Sequence, residues 1–203
     1  KTFYFRSTDS MSSSTSFFYS GWEHIVDINA YDHLLFVMTL CAAFKLSQWR
    51  QILIIITAFT IGHSGTLILS ALNIIPSNSK IIDMLIPLTI MVTAIDNVVQ
   101  RDAGSKLTET RFKYLIALIF GLIHGLAFAS NFKVMMFDES ILTPLFLFNI
   151  GIEAGQIFIV FLFMCTLWVY RNLFKGEHEK WNIFVSGGGF GIAATLLLGA
   201  IAG

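Results

Sequence analysis

The sequence predicts an all-α integral membrane protein, a single bundle of about six transmembrane helices. Hydrophobic residues make up 55% of the 203 residues and charged residues 13%, whereas soluble domains carry about a quarter charged residues. Apolar stretches of about 20 residues recur along the chain, and each is long enough to cross a hydrocarbon core of about 30 Å. Because the connections between them are short, we expect residues 21–203 to form one transmembrane domain.

Six apolar stretches define the predicted spans. In chain order they cover residues 31–46, 51–74, 81–99, 113–131, 144–170 and 182–202. The sixth carries Gly or Thr at every fourth position from Gly187 to Gly203, a small-residue face that lets another helix approach closely. Residues 1–20 are polar and rich in serine, and we expect them to form an N-terminal tail. Met11 is a candidate native start, which would make residues 1–10 a non-native extension.

Basic residues divide unevenly between the two sides of the predicted bundle. The connections after the first, third and fifth spans hold nine of the 13 Lys and Arg residues, and the opposite side holds four. Under the positive-inside rule the first set of connections lies in the cytoplasm and both termini lie outside. We therefore expect a multi-pass protein of the lipid bilayer with an outer N-terminus. The formal net charge of zero gives no reason to expect nucleic-acid binding.

Ionisable residues occur inside or at the edges of the apolar spans, where they are costly. An Asp, Lys or Arg at the centre of a span costs about 2.5–3.5 kcal/mol on insertion scales, so such residues face a bundle interior and find partners there. Four of the five histidines are placed in this way: His24, His33, His63 and His124. The i, i+4, i+7 spacing of Asn149, Glu153 and Gln156 puts them on one face of the fifth span. His178 lies in a charged connection, where we expect a surface position.

Depth in the membrane groups these residues, because the helical rise converts sequence position into distance. His63 lies about 15 Å below the outer end of its span, His124 about 10 Å and Glu153 about 14 Å. Three further groups lie at the outer ends of the first and third spans: Asp32, His33 and Asp83. These groups and the Asn149 amide share the outer half of the bundle, and such donors suit Zn, Ni, Fe or Co. The two cysteines lie elsewhere, which argues against a thiolate site.

Four motifs occur in order on separate predicted helices: GWEHIVDINAYDHLLF, FTIGHSGTL, FGLIHGLAFA and FNIGIEAGQ. With them the chain resembles the HupE/UreJ family of bacterial membrane proteins, and most closely its Bacteroidetes-type branch. The resemblance covers roughly residues 21–160 and implies uptake of nickel or cobalt across the bacterial inner (cytoplasmic) membrane. It also implies a metal site that draws on the following residues: His24, Asp32, His33, His63, Asp83, His124, Asn149 and Glu153.

Two functions of different classes would use this donor set. The first is a permease for a divalent transition-metal ion, in which the outer residues recruit the ion and His63, His124 and Glu153 bind it. The second is an intramembrane hydrolase or acyl transferase that holds zinc permanently, with Glu153 or Asp83 positioning a water. A structural metal or a polar packing cluster is the third interpretation. The family resemblance favours the permease over an enzyme. A polar path to both faces would support the permease, and a closed inner half with a lipid-side opening would support the enzyme.

Overall fold

The structure is a computed structural model that describes residues 13–28, 31–72, 74, 79–99, 107–135 and 142–202. Over these residues the chain forms seven α-helices, and the 3-10 turn Leu46–Gln48 precedes the third of them. In chain order the helices are α1 (Ser13–Val26), α2 (Tyr31–Ala42), α3 (Trp49–Ala71), α4 (Ser79–Val99), α5 (Leu107–Met135), α6 (Leu142–Asn172) and α7 (His178–Ala202). Within this described part, five helices are long and apolar enough to cross a membrane, and α1 with α2 makes a sixth span if that bent pair counts as one. The prediction of an all-α membrane bundle is confirmed.

The first span differs from the prediction over residues 31–46. Helix α2 ends at Ala42 and has 12 residues, which is about 18 Å and short of the hydrocarbon core. It qualifies as a span only together with α1, and the two helices bend by 67° at the break between them. Helix α1 begins at Ser13, inside the stretch for which we predicted a polar tail over residues 1–20. Residues 1–12 of that tail lie outside the described part of the chain.

Reciprocal glycine contacts explain why α1 belongs to the bundle. A side chain on Gly21 of α1 would run into the backbone of α6, and one on Gly151 of α6 would run into the backbone of α1. Helices α3 and α5 cross in the same way at Gly62 and Gly121. Small residues on both sides let the backbones approach, which favours association of helices in lipid. The sequence did not predict this contact surface, because the serines that precede Gly21 lower the hydropathy of α1 below that of a typical span.

A polar network joins α2, α4 and α7. Asn97 Nδ2 donates hydrogen bonds to the Thr39 carbonyl at 2.6 Å and to Ser186 Oγ at 3.2 Å. Asn182 Nδ2 donates to the Asn97 carbonyl at 2.8 Å, and Ser186 Oγ donates to Asn182 Oδ1 at 3.0 Å. All four residues are buried, and the network lies toward the end of the bundle where α7 begins.

Helix α7 differs from the sequence expectation in two respects. A Cβ on Gly187, Gly191 or Gly199 would meet nothing within 4 Å in the described part of the chain, so most of the predicted small-residue face is open. His178, which we expected at the surface, is buried, and its Nε2 lies 3.0 Å from the Phe44 carbonyl oxygen. The start of α7 therefore packs against the segment that follows α2, and this contact buries a residue that sequence alone assigns to a charged connection.

Candidate metal centre

Histidines from four different helices meet inside the bundle: His24 of α1, His33 of α2, His63 of α3 and His124 of α5. The ring centroids of His24 and His33 are 4.6 Å apart, and His63 lies 5.6 Å from the first and 6.0 Å from the second. The ring of His124 lies 5.2 Å from that of His33. His33, His63 and His124 are buried and His24 is half-buried. Four imidazole rings therefore form one contiguous group.

Three of these rings can present their nitrogens to a common point. One ring nitrogen from each of His24, His33 and His63 lies within 4.8 Å of the other two. Nitrogen ligands about 2.0–2.1 Å from a tetrahedral zinc are about 3.4 Å apart, so the three nitrogens would have to move inward to share one ion, and a fourth ligand would still be needed. We call this set the histidine trio.

The histidine trio lies beside the break between α1 and α2. His24 is in the last turn of α1, and His33 is in the first turn of α2. The last carbonyls of a helix have no intrahelical donor and carry a partial negative charge, which favours a cation nearby. Discontinuous helices supply ion sites in membrane transporters for the same reason. The bend thus brings two candidate ligands together, while the partial positive charge at the N-terminal end of α2 offsets the field of the α1 carbonyls.

Aromatic rings surround the histidines. The rings of His24 and Phe128 are 4.0 Å apart, and Phe128 stacks on Phe148 at 5.1 Å. On the other side, Phe36 and Phe59 lie 5.0 Å and 5.3 Å from His124. These rings accept no ordinary hydrogen bond from an imidazole, so the histidine nitrogens depend on one another, on polar neighbours or on a bound ion.

Most of the imidazole nitrogens lack a hydrogen-bond partner among the described residues. They are His24 Nε2, His33 Nε2, His63 Nδ1, His63 Nε2 and His124 Nδ1. Buried polar atoms nearly always have a partner, and each unsatisfied one costs about 1–3 kcal/mol. Neutral imidazole nitrogens are good ligands for zinc, nickel and cobalt, so a bound ion would satisfy several of them together. The residues present therefore fit a divalent transition-metal ion.

Two of the histidines, His33 and His124, each have one ring nitrogen in contact with a polar side chain. His33 Nδ1 lies 3.2 Å from Asp32 Oδ1, and because an ionised carboxylate only accepts, Nδ1 carries the proton and Nε2 is left free. Carboxylates commonly orient metal-binding histidines in this way. His124 Nε2 lies 3.0 Å from Thr89 Oγ1. Asp32, a predicted metal contact, thus acts on the site through His33.

Asp83 lines an open cavity that also includes Asp32, the residue whose carboxylate contacts His33. The cavity has a volume of about 360 Å³ and is formed by Tyr31, Asp32, Asp83, Ile86, Pro87, Leu196 and Ala200. Because Asp32 and Asp83 both line this cavity, two carboxylates share one space, and Asp32 connects that space to His33. Pro87 has no N–H, so it cannot donate the helical hydrogen bond that the Asp83 carbonyl would otherwise receive.

Two predicted ligands, Asn149 and Glu153, are on α6, and Glu153 is not part of the group whose ligand atoms lie within 4.8 Å of one another. Glu153 Oε1 accepts a hydrogen bond from Thr57 Oγ1 at 2.5 Å. Glu153 Oε2 and Asn149 Oδ1 are buried and have no hydrogen-bond partner in the described ranges. The sequence predicted that His63, His124 and Glu153 form the centre of the site. The structure groups His63 with His24 and His33 instead, places His124 beside His33, and pairs Glu153 with Thr57.

A family model described as HupE / UreJ protein matches residues 2–200, nearly the whole chain. The chain belongs to the HupE/UreJ family. The family resemblance predicted from the four motifs is thereby confirmed, and it agrees with a multi-pass membrane protein that has a histidine group able to hold a metal ion. A search of curated proteins and a search of solved structures each returned no match to the chain.

Two side-chain contacts between α4 and α5 of this HupE/UreJ protein were not predicted from the sequence. The Thr89–His124 contact joins α4 to α5, and Lys113 of α5 forms an ion pair with Asp96 of α4 at 2.5 Å. The Thr89–His124 contact has one indication in the sequence: Thr89 stands eight residues before Asn97, so both lie on one face of an apolar helix. That spacing marks a polar face but does not identify the residue that it contacts.

Proposed function

We propose that this HupE/UreJ protein is a permease for a divalent transition-metal ion, nickel or cobalt, in the inner membrane of a bacterium. The observation that supports this most strongly is the buried histidine trio, whose nitrogens approach one another to within 4.8 Å. Imidazole donors without thiolates suit nickel, cobalt and zinc, and the family favours the first two. In this proposal the ion is the cargo and is held only in transit.

The cavity that contains Asp32 and Asp83 is the proposed entrance. Two carboxylates raise the local concentration of cations, and a hydrated divalent ion fits a space of about 360 Å³. Asp32 also orients His33, so an ion attracted to this cavity is next to the first imidazole ligand. Asn149 and Glu153 are proposed to contribute oxygen donors from α6, because each has a buried oxygen without a partner among the described residues.

A buried polar line on α4 supports movement of the ion beyond the histidines. Thr89, Thr93 and Asn97 follow at successive turns and are all buried. The line begins at His124, which contacts Thr89, and ends in the network that joins α2, α4 and α7. Polar groups thus extend from the proposed entrance cavity, past the histidines, toward the opposite end of the bundle. This arrangement favours transport over an enzyme whose polar site ends in the outer half.

Purified protein in liposomes would test the proposal. Influx of Ni²⁺ or Co²⁺ is measured with an entrapped metal-sensitive dye, and binding is measured by equilibrium dialysis in detergent. We expect wild-type protein to bind and transport the ion, and we expect His63→Ala to weaken binding at least about tenfold. The matched control is His178→Gln, because His178 contacts the Phe44 carbonyl and lies outside the histidine group.

The same experiment separates the other interpretations. Zinc retained near one ion per chain after extensive washing, without any flux, would favour the metal-dependent hydrolase or a structural metal. Failure of the wild-type protein to bind any of the three metals would leave the histidines as packing residues and would refute the permease.

A further inference from the structure

His124 has a buried polar neighbour, Thr89 of α4, which is not itself a candidate metal ligand. The Oγ1 of Thr89 lies 3.0 Å from His124 Nε2, and the two residues are 4% and 0% exposed. The ring of His124 otherwise packs against aromatic rings, including Phe36 and Phe59. Its second nitrogen, Nδ1, has no hydrogen-bond partner among the described residues.

The protons available to Thr89 determine which nitrogen of His124 is protonated. A threonine hydroxyl carries one proton. Thr89 Oγ1 lies 2.7 Å from the Ile86 carbonyl oxygen, and because a carbonyl only accepts, the hydroxyl proton must lie between these two oxygens. Thr89 can therefore offer His124 only a lone pair. It follows that His124 Nε2 carries a proton and donates it to Thr89, and that Nδ1 is unprotonated.

We propose that Thr89 is a positioning residue that holds His124 in its Nε2–H tautomer, so that His124 binds the metal ion through Nδ1. The inference rests on the proposed metal site and gives His124, which lies beside His33 but outside the histidine trio, a free nitrogen with which to bind the ion once the rings close around it. Thr89 would act on His124 as Asp32 acts on His33, with a neutral hydroxyl as the acceptor. The two rings would then use opposite nitrogens, Nε2 for His33 and Nδ1 for His124.

Nitrogen NMR of metal-free protein tests the tautomer directly. The full chain is labelled with ¹⁵N-histidine in detergent, and the His124 signals are identified by their loss in His124→Asn. We expect the wild-type protein and Thr89→Ser to show a protonated Nε2 and a bare Nδ1. Thr89→Val keeps the shape but removes the acceptor, so we expect the proton to redistribute between the two nitrogens. A protonated Nδ1 in wild-type protein would overturn the proposal, and this result does not depend on how any Thr89 variant folds.

Co²⁺ affinity and visible absorption test the metal-binding part. We expect Thr89→Val to weaken binding about 10- to 100-fold, as loss of an orienting partner commonly does, and Thr89→Ser to restore it. The matched control is Thr166→Val on α6. Thr166 Oγ1 donates to the Phe163 carbonyl at 2.7 Å, as Thr89 Oγ1 does to the Ile86 carbonyl, and it is outside both the histidine group and the polar line on α4, so we expect its loss to leave the Co²⁺ spectrum unchanged.

Replacement of His124 itself identifies the binding nitrogen. The side-chain amide of Asn stands as many bonds from Cα as Nδ1 does, and that of Gln as many as Nε2 does. We therefore expect His124→Asn to retain more Co²⁺ affinity than His124→Gln, and the reverse order would overturn the proposal. Wild-type affinity in Thr89→Val would also overturn it. If wild-type protein binds no Co²⁺, the proposed function and the metal role of Nδ1 both fail, while the NMR measurement still decides whether Thr89 sets the tautomer.

Discussion

Replacement of Gly121 by alanine is expected to separate α3 from α5 and to weaken the metal site at the same time. The new Cβ would lie 2.9 Å from the carbonyl carbon of Phe59 and 3.0 Å from the backbone nitrogen of His63, and nearer still to the Phe59 carbonyl oxygen. Ordinary van der Waals contact begins at 3.4 Å, and backbone atoms cannot rotate away as a flexible side chain can. The helices must therefore move apart, and His63 is among the residues that move.

The magnitude follows from two opposing terms. Overpacking of a close contact costs about 1–3 kcal/mol, and the upper part of this range applies because the obstructing atoms are backbone. Replacing glycine inside a helix by alanine contributes about 0.5–1 kcal/mol of stability. We expect Gly121→Ala to lower the free energy of unfolding by about 2 kcal/mol as the balance of these terms. A displacement of His63 beyond about 0.5 Å should also weaken Co²⁺ binding about tenfold or more.

The assay is reversible unfolding in mixed micelles by titration with a denaturing detergent, together with Co²⁺ binding to the folded protein. The matched control is Gly187→Ala on α7, where a Cβ would meet nothing within 4 Å in the described chain. The control has the helix-propensity gain without the collision, so we expect it to be neutral or stabilised by up to about 1 kcal/mol with unchanged binding. Equal stability and equal Co²⁺ affinity in the two variants would refute the close crossing of α3 and α5.

Three further perturbations follow from the same structure. Lowering the pH from about 7.5 to about 5.5 is expected to release bound Co²⁺ or Ni²⁺, because imidazole binds metal only in its neutral form, and equilibrium dialysis that shows constant affinity would contradict imidazole ligands. Asn97→Ala removes two buried side-chain hydrogen bonds and is expected to lower the free energy of unfolding by about 1–2 kcal/mol. Asn172→Ala removes one exposed hydrogen bond, and its unfolding titration should differ from wild type by less than about 0.5 kcal/mol. In a background without the native cysteines, an impermeant maleimide should label Lys175→Cys from the cytoplasm and Lys80→Cys from outside, and the opposite pattern would invert the predicted topology.

The sequence by itself determined the fold class and the approximate bounds of five helices. A membrane-spanning helix needs about 20 apolar residues, and every backbone hydrogen bond must be made within the protein. The positions of the apolar stretches therefore restrict the fold to a bundle of helices with approximately known bounds. The sixth predicted span, residues 182–202, corresponds to α7 at His178–Ala202. The first span was predicted less well, because α1 is rich in serine and its packing depends on Gly21 meeting α6, a contact that hydropathy does not register.

Only the tertiary structure decided which donors meet. The helical rise gives the depth of a residue in the membrane, and on depth the sequence groups His63 with His124 and Glu153, whereas the rings of His24 and His33 lie 5.6 Å and 6.0 Å from that of His63. It also placed Glu153 at the level of His63, yet Glu153 contacts Thr57 and lies outside the histidine trio. Depth is one coordinate, and the direction in which a side chain points around its helix is another. That second coordinate depends on how the helices cross at glycines such as Gly121 and on the bend between α1 and α2, which no single helix sequence specifies.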